Sequence, residues 1–215
     1  MGKIVLATII ISGSAKWLLK VGGNKEKWYG SDRIFMYVMT VFGAMTVNYS
    51  EQCTEYGWVV SNLRLLAGCL LAGGLLSAAY MDRRNCWVYN YVWWWCLPWA
   101  GILGMTAGGE FHGIVAVLVF VMLQQLLFSR MYGKADCHAF SVCALAECGN
   151  AVGMVGFLLQ MFLSVVLLTI VQLFRGNVTP RGRLREPQPF IPYIITAFFS
   201  VMFLESVFRT TYIYA

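Results

Sequence analysis

Only three aspartates occur in the 215 residues, Asp32, Asp82 and Asp136, and two of them stand in the same setting. Asp82 closes the apolar run 65–81 and opens the basic turn "MDRRNCW", while Asp136 falls in "MYGKADCHAF", between two of the most apolar parts of the chain. A carboxylate at the edge of a lipid-facing segment is costly, and a chemical use is one reason to keep it. Two carboxylates a few ångströms apart cannot both ionise cheaply, so near neutral pH one holds a proton and the other does not. Such a pair can hydrolyse a peptide bond without a metal or a covalent intermediate. The ionised member takes a proton from bound water, and the protonated member polarises or protonates the scissile carbonyl. Helices that exclude water strengthen both effects. The plainer alternative is a pair of interfacial charges balanced by Arg83, Arg84 and Lys134, and topology alone leaves the two readings level.

The elements that must position these groups are hydrophobic. Apolar residues make up 59% of the chain and charged ones 12%, the balance of an integral membrane protein. Apolar runs near 20 residues recur, each long enough for a hydrocarbon core of about 30 Å. Hydropathy and chain breakers predict eight segments, at 4–19, 34–48, 63–81, 87–107, 111–129, 136–149, 152–174 and 190–208. The shortest, 34–48 and 136–149, are the weakest spans, so the expected fold is an all-α polytopic bundle of six to eight helices in one domain, residues 1–215. The first segment has no small-x-small cleavage site and is kept as a span instead of a signal peptide. Trp93, Trp94, Trp95 and Trp99 fall inside a span and are expected to pack between helices.

Thirteen of the sixteen basic residues fall on one side when the loops alternate, with Lys3, Arg64 and Arg209 on the other. The thirteen-residue side is expected to be cytoplasmic. The net charge of +6 is therefore a topological signal, and no nucleic-acid partner is expected. Seven cysteines without a C-x-x-C pair indicate neither a zinc ribbon nor a disulfide framework, and are expected as small buried thiols. The two histidines, His112 and His138, form no H-E-x-x-H, which excludes a zinc protease of that type, and no metal or cofactor is expected. In this topology the segment after Asp82 rises through residues 87–107, about 31 Å, and the next descends. The hairpin returns Asp136 to the face of Asp82, 54 residues away in sequence. Glu147 and Glu205 fall toward the opposite face.

Three stretches, in order, resemble the motifs of prepilin peptidases and archaeal preflagellin peptidases, and span residues 63–208. "AAYMDRRNCWVYNYV" is similar to the first aspartate motif of that family, and "YGKADCHAFSVCALAECG" to the second, G-x-G-D or G-x-A-D. "EPQPFIPYIITAFF" resembles the proline-containing start of the closing helix. The resemblance implies that Asp82 and Asp136 are the catalytic pair and that Gly133 is the first glycine of the second motif, letting the backbone turn before the helix. Ala135 stands where many members have glycine, and the lysine that follows the aspartate in many bacterial members is absent, with Cys137 and His138 instead. Pro189 and Pro192 have a plain use at a helix N-terminus and, by the resemblance, a use in shaping a substrate groove. The loop after the first span lacks the cysteine-rich insert of bacterial members, which implies peptidase without methyltransferase. The implied substrate is a pilin-like precursor, a basic leader followed by a hydrophobic helix, cut at the cytoplasmic face of the cell membrane. Two other classes compete: a small ion-coupled transporter component and a non-catalytic membrane scaffold. Against transport, both aspartates lie at one face and no inverted repeat is visible.

Overall fold

The computed structural model describes residues 2–23, 30–52, 57–106, 111–127, 133–148, 153–176 and 188–214. They form eight helices: α1 (Gly2–Val21), α2 (Gly30–Gln52), α3 (Trp58–Asn85), α4 (Asn90–Thr106), α5 (Phe111–Leu126), α6 (Lys134–Glu147), α7 (Gly153–Phe174) and α8 (Ile191–Tyr214). The protein is all-α, with no strand among the described residues. Each of the eight expected segments is a helix, with ends displaced by less than two turns. Length divides them. α1, α3, α7 and α8 are long and apolar enough to cross a membrane. α4, α5 and α6 have 17, 16 and 14 residues, about 26, 24 and 21 Å. Six to eight spans were expected, with 34–48 and 136–149 the weakest, and four helices meet that measure. The outward faces are nevertheless apolar: Trp58, Trp94, Met105, Val155, Phe162 and Phe174 are each at least 67% exposed. Such a surface suits lipid and is foreign to a soluble monomer.

α3 forms the centre, with α1, α2, α4 and α8 packed around it. Its buried face is a run of small residues that includes Ala67, Gly68, Ala72, Gly73, Ala78 and Ala79. In lipid, helices gain from close backbone approach, which small residues permit. A Cβ at Gly68 would stand 2.7 Å from a Val47 methyl on α2, and one at Gly73 would collide with Ser14 of α1. α6 is held by α4, α5, α7 and α8.

Neighbouring helices run in alternating directions. Tyr91, opening α4, donates to the Leu18 carbonyl near the end of α1 at 2.8 Å. Arg83, ending α3, meets Asp32 at the start of α2. Gln125, ending α5, donates to Ser141 Oγ in α6 at 2.9 Å. One end of the bundle thus gathers the C-termini of odd helices and the N-termini of even ones. Lys16, Lys20, Arg33, Arg83, Arg84, Lys134 and Arg175 belong to this end. Lys25, Lys27, Arg130, Arg181, Arg183 and Arg185 lie outside the described residues.

Arg64 departs from expectation. It is a buried side chain early in α3, and no loop cation, donating to the Leu103 carbonyl and to Thr106 Oγ1 at 3.0 Å each. It satisfies carbonyl oxygen that the end of α4 leaves without an intrahelical donor. The tryptophans also divide. Trp93 is buried, and Trp95 packs against Trp17 and Trp99, but Trp94 is 75% exposed and faces outward. Consecutive helical residues point 100° apart, so the run cannot share one buried face.

Candidate active site

Asp82 does not open a turn, as its sequence position suggested. α3 continues one turn beyond it to Asn85, because Arg83, Arg84 and Asn85 interrupt hydrophobicity without breaking a helix, and cations suit its C-terminal dipole. The helix stops at Cys86, whose φ of 50° is left-handed and whose N–H bonds the Asp82 carbonyl at 2.8 Å. That strained conformation falls on a cysteine that is exposed, unlike Cys69, Cys96, Cys137 and Cys143, which are buried as expected. Cys53 lies outside the described residues. Cys86, and to a lesser degree the half-buried Cys148, depart from the small-buried-thiol expectation.

The extra turn leaves the Asp82 side chain 6% exposed, inside the bundle. Its Oδ2 accepts from the Ile191 N–H, the first residue of α8, at 3.0 Å, and the Phe190 N–H assists. The N-terminus of α8 is thereby fully accounted for. Pro192 has no N–H, and Tyr193 and Ile194 both donate to the Phe190 carbonyl at 3.0 and 3.2 Å. Asp82 thus acts as a remote cap for a helix 109 residues away in sequence. Pro192 in the first turn suits a helix start, and Pro189 lies in the extended lead, residues 188–190.

Asp136 is the third residue of α6, and its Oδ2 accepts the Gly133 N–H at 3.2 Å. Gly133 has no side chain to return the bond, so the pair makes half of a capping box. The reason for glycine differs from the one expected. Gly133 has φ −62° and ψ 150°, open to any residue, but a Cβ there would stand 3.2 Å from Asp136 Oδ2. Close approach of the carboxylate, and not freedom of the backbone, is what a side chain at Gly133 would disturb, by a few tenths of an ångström. Ala135 sits within regular helix and needs no positive φ. Its departure from the family pattern carries no backbone strain here.

Aromatic packing ties the helix of Asp136 to the segment that holds Asp82. Asp136 and Phe140 are one turn apart on one face of α6. Phe140 meets Phe190 at 5.8 Å and Phe157 of α7 at 6.3 Å, both edge to face. Phe190 immediately precedes the residue that holds Asp82, so this contact fixes α6 against the lead of α8. Burial first, and the Asp82 charge second, push the Asp136 carboxyl up to about 7, with the Gly133 N–H working against them. Asp136 lies outside the four long apolar helices.

The third aspartate takes the nearby cations. Arg83 Nε lies 2.6 Å from Asp32 Oδ1, and Arg84 Nε 3.7 Å from Asp32 Oδ2. Asp32 had been given no role, since nothing in sequence marks residue 32 as a neighbour of residues 83 and 84. His138 is half-buried beside Gln125 and Trp93. Burial, and then the Lys134 charge, hold its imidazole below the usual histidine range, so it is a neutral packing group. Among the described residues no three His, Cys, Asp or Glu side chains gather as a metal-binding set.

At the start of α8 opens a cleft of about 440 Å³, lined by Phe35, Arg83, Val171, Arg175, Gln188, Pro189, Pro192, Tyr193 and Thr196; neither Asp82 nor Asp136 is part of its lining. Both prolines singled out in the sequence form its wall. The geometry offers one carboxylate fixed by backbone donors, a second that keeps its proton near neutrality, and a cleft at the start of α8. No protein-family model, curated protein or solved structure matches the chain.

Proposed function

We propose that the protein is a membrane aspartic endopeptidase that removes the basic leader of pilin-like precursors. One observation supports the reading: Asp136, on a helix far from Asp82 in sequence, lies close enough to feel the Asp82 charge. In this reading Asp82 is the base, since the α8 N-terminus stabilises negative charge on it. Asp136 is the acid. As Asp82 takes a proton from water, the water oxygen bonds to the scissile carbonyl carbon, and Asp136 gives its proton to the carbonyl oxygen. Collapse of the resulting diol breaks the C–N bond. The nitrogen leaves with the proton held by Asp82, and a diol hydroxyl returns one to Asp136. The arginines at this end favour the cytoplasmic face, where a substrate leader would wait in water while its hydrophobic helix stays in lipid.

A scaffold reading has an observation of its own: each aspartate accepts backbone N–H groups at a helix N-terminus. Asparagine separates the two, because it remains a capping acceptor but cannot exchange the proton. Co-expression with a precursor bearing a basic leader and one hydrophobic helix should yield the shortened product by mass. Asp82→Asn and Asp136→Asn, recovered folded from membranes, should yield at most about a hundredth of it. Product at the parent's level from either variant leaves the aspartates as caps only.

A further inference from the structure

The cleft beside α8 has a character that peptide hydrolysis does not require. Four helix ends border it: Phe35 from α2, Arg83 from α3, Val171 from α7, and the lead and first turns of α8. α3 and α7 are two of the four helices long enough to cross a membrane, and Arg83 and Arg175 stand where those helices end. Leu173 and Phe174, just before Arg175, are 58% and 89% exposed, so apolar surface gives way to cation within two residues. That is the depth at which phospholipid phosphates lie.

The lining matches such a group. Asp32 holds Arg83 through Nε, and the guanidinium plane lies over Phe35 at 5.2 Å, which orients it at the cleft wall. Arg175 follows the last turn of α7, its own N–H bonded to the Val171 carbonyl at 3.1 Å. Gln188 Oε1 accepts from the Gln172 amide NH2 at 3.3 Å, which leaves the Gln188 NH2 directed elsewhere. Arg84 also reaches Asp32, and with Arg175 on the cleft wall the arginines of this corner outnumber the carboxylates Asp32 and Asp82 among the described residues. Phe35, Val171, Pro189 and Pro192 supply an apolar floor. Basic pockets between membrane helices take phosphorylated headgroups, and guanidinium groups suit phosphate oxygens.

We propose that this cleft binds the phosphate of an anionic phospholipid, with Arg83 and Arg175 as its cationic wall and the apolar floor under the glycerol. The site does not depend on the peptidase reading, and its occupancy is measured without cleavage. Because Pro189 and Pro192 flank the residue that holds Asp82, the lipid would brace the lead of α8.

The whole chain, purified in a neutral detergent, is titrated with phosphatidylglycerol, phosphatidylcholine or inorganic phosphate, and read by native mass spectrometry and melting temperature. Phosphatidylglycerol should be retained and should raise the melting temperature, and the other two should not. Arg175→Gln should weaken retention about fivefold, and Arg175→Lys should restore most of it. Val171→Trp, which fills the cleft without changing charge, should also weaken it. Equal retention of phosphatidylcholine, or retention indifferent to Arg175→Gln, overturns the site. Equal stabilisation by inorganic phosphate makes it a soluble-anion site and overturns the lipid assignment.

Discussion

The two ends of α6 carry acids of opposite character. Asp136, in the first turn, is partly exposed, accepts a backbone N–H and feels the charge of Asp82. Glu147, the last residue, is 3% exposed, and neither carboxylate oxygen has a hydrogen-bond partner among the described residues. They are 11 residues apart, about three turns, so both lie on one stripe with Phe140 and Cys143 between them. Glu147 also has an acidic neighbour, Glu205 of α8. Burial and a second acid are therefore common to both ends. What separates them is fixed donors and access to water. A sealed carboxyl without donors is stable only as the neutral acid and cannot take a proton from a substrate water. The Asp136 end has a partner, Asp82, whose charge is held by the N-terminus of α8.

The comparison is sharpest when each acid is neutralised in turn. Asp82→Asn or Asp136→Asn should lower cleavage of a co-expressed precursor by about 10²–10⁴-fold, measured as product over time. If the loss were as large at Glu147, the distinction between the ends would collapse. The pH profile comes next. In the proposed mechanism Asp136 acts protonated, and its carboxyl is raised from 3.8 to about 7. Cleavage should therefore fall about tenfold per unit above pH 7. The sign for stability is the same. A folded pKa above the unfolded value stabilises fully below 3.8, and that stabilisation is lost as pH rises through about 7. Asp136→Asn should then melt higher than the parent at pH 8, with the difference vanishing toward pH 4.

Smaller effects follow from geometry. Gly133→Ala moves the Asp136 carboxylate by a few tenths of an ångström and should slow cleavage about three- to tenfold with little change in melting temperature. Glu147→Gln should leave the rate within about twofold, and a greater loss would join the two ends into one functional path.

The eight helices were legible because lipid-facing and buried runs are both apolar, and hydropathy sees either. Helix length was less legible, since "MDRRN" lacks hydrophobicity while remaining good helix, and α3 passes through it. The juxtaposition of Asp82 and Asp136 could be read from alternating loops. Their partners could not. The group that holds Asp82 is the Ile191 N–H, and a backbone donor has no letter in a sequence. Gly133 was marked as special, but for the wrong reason, because a clash with a side chain three residues on is invisible without the rotamer. Asp32, which binds Arg83 and Arg84, could as well have been an ordinary acid in the first turn of α2.

The bond from Ile191 to Asp82 also imposes an order on biosynthesis. A chain that has emerged only through α7 contains both aspartates, but Asp82 lacks its donor and the cleft lacks a wall. The pair is completed when α8 docks, the last of the eight helices to be made. On the proposed reading, the aspartate pair would in this way stay inert among other nascent membrane helices until α8 has docked.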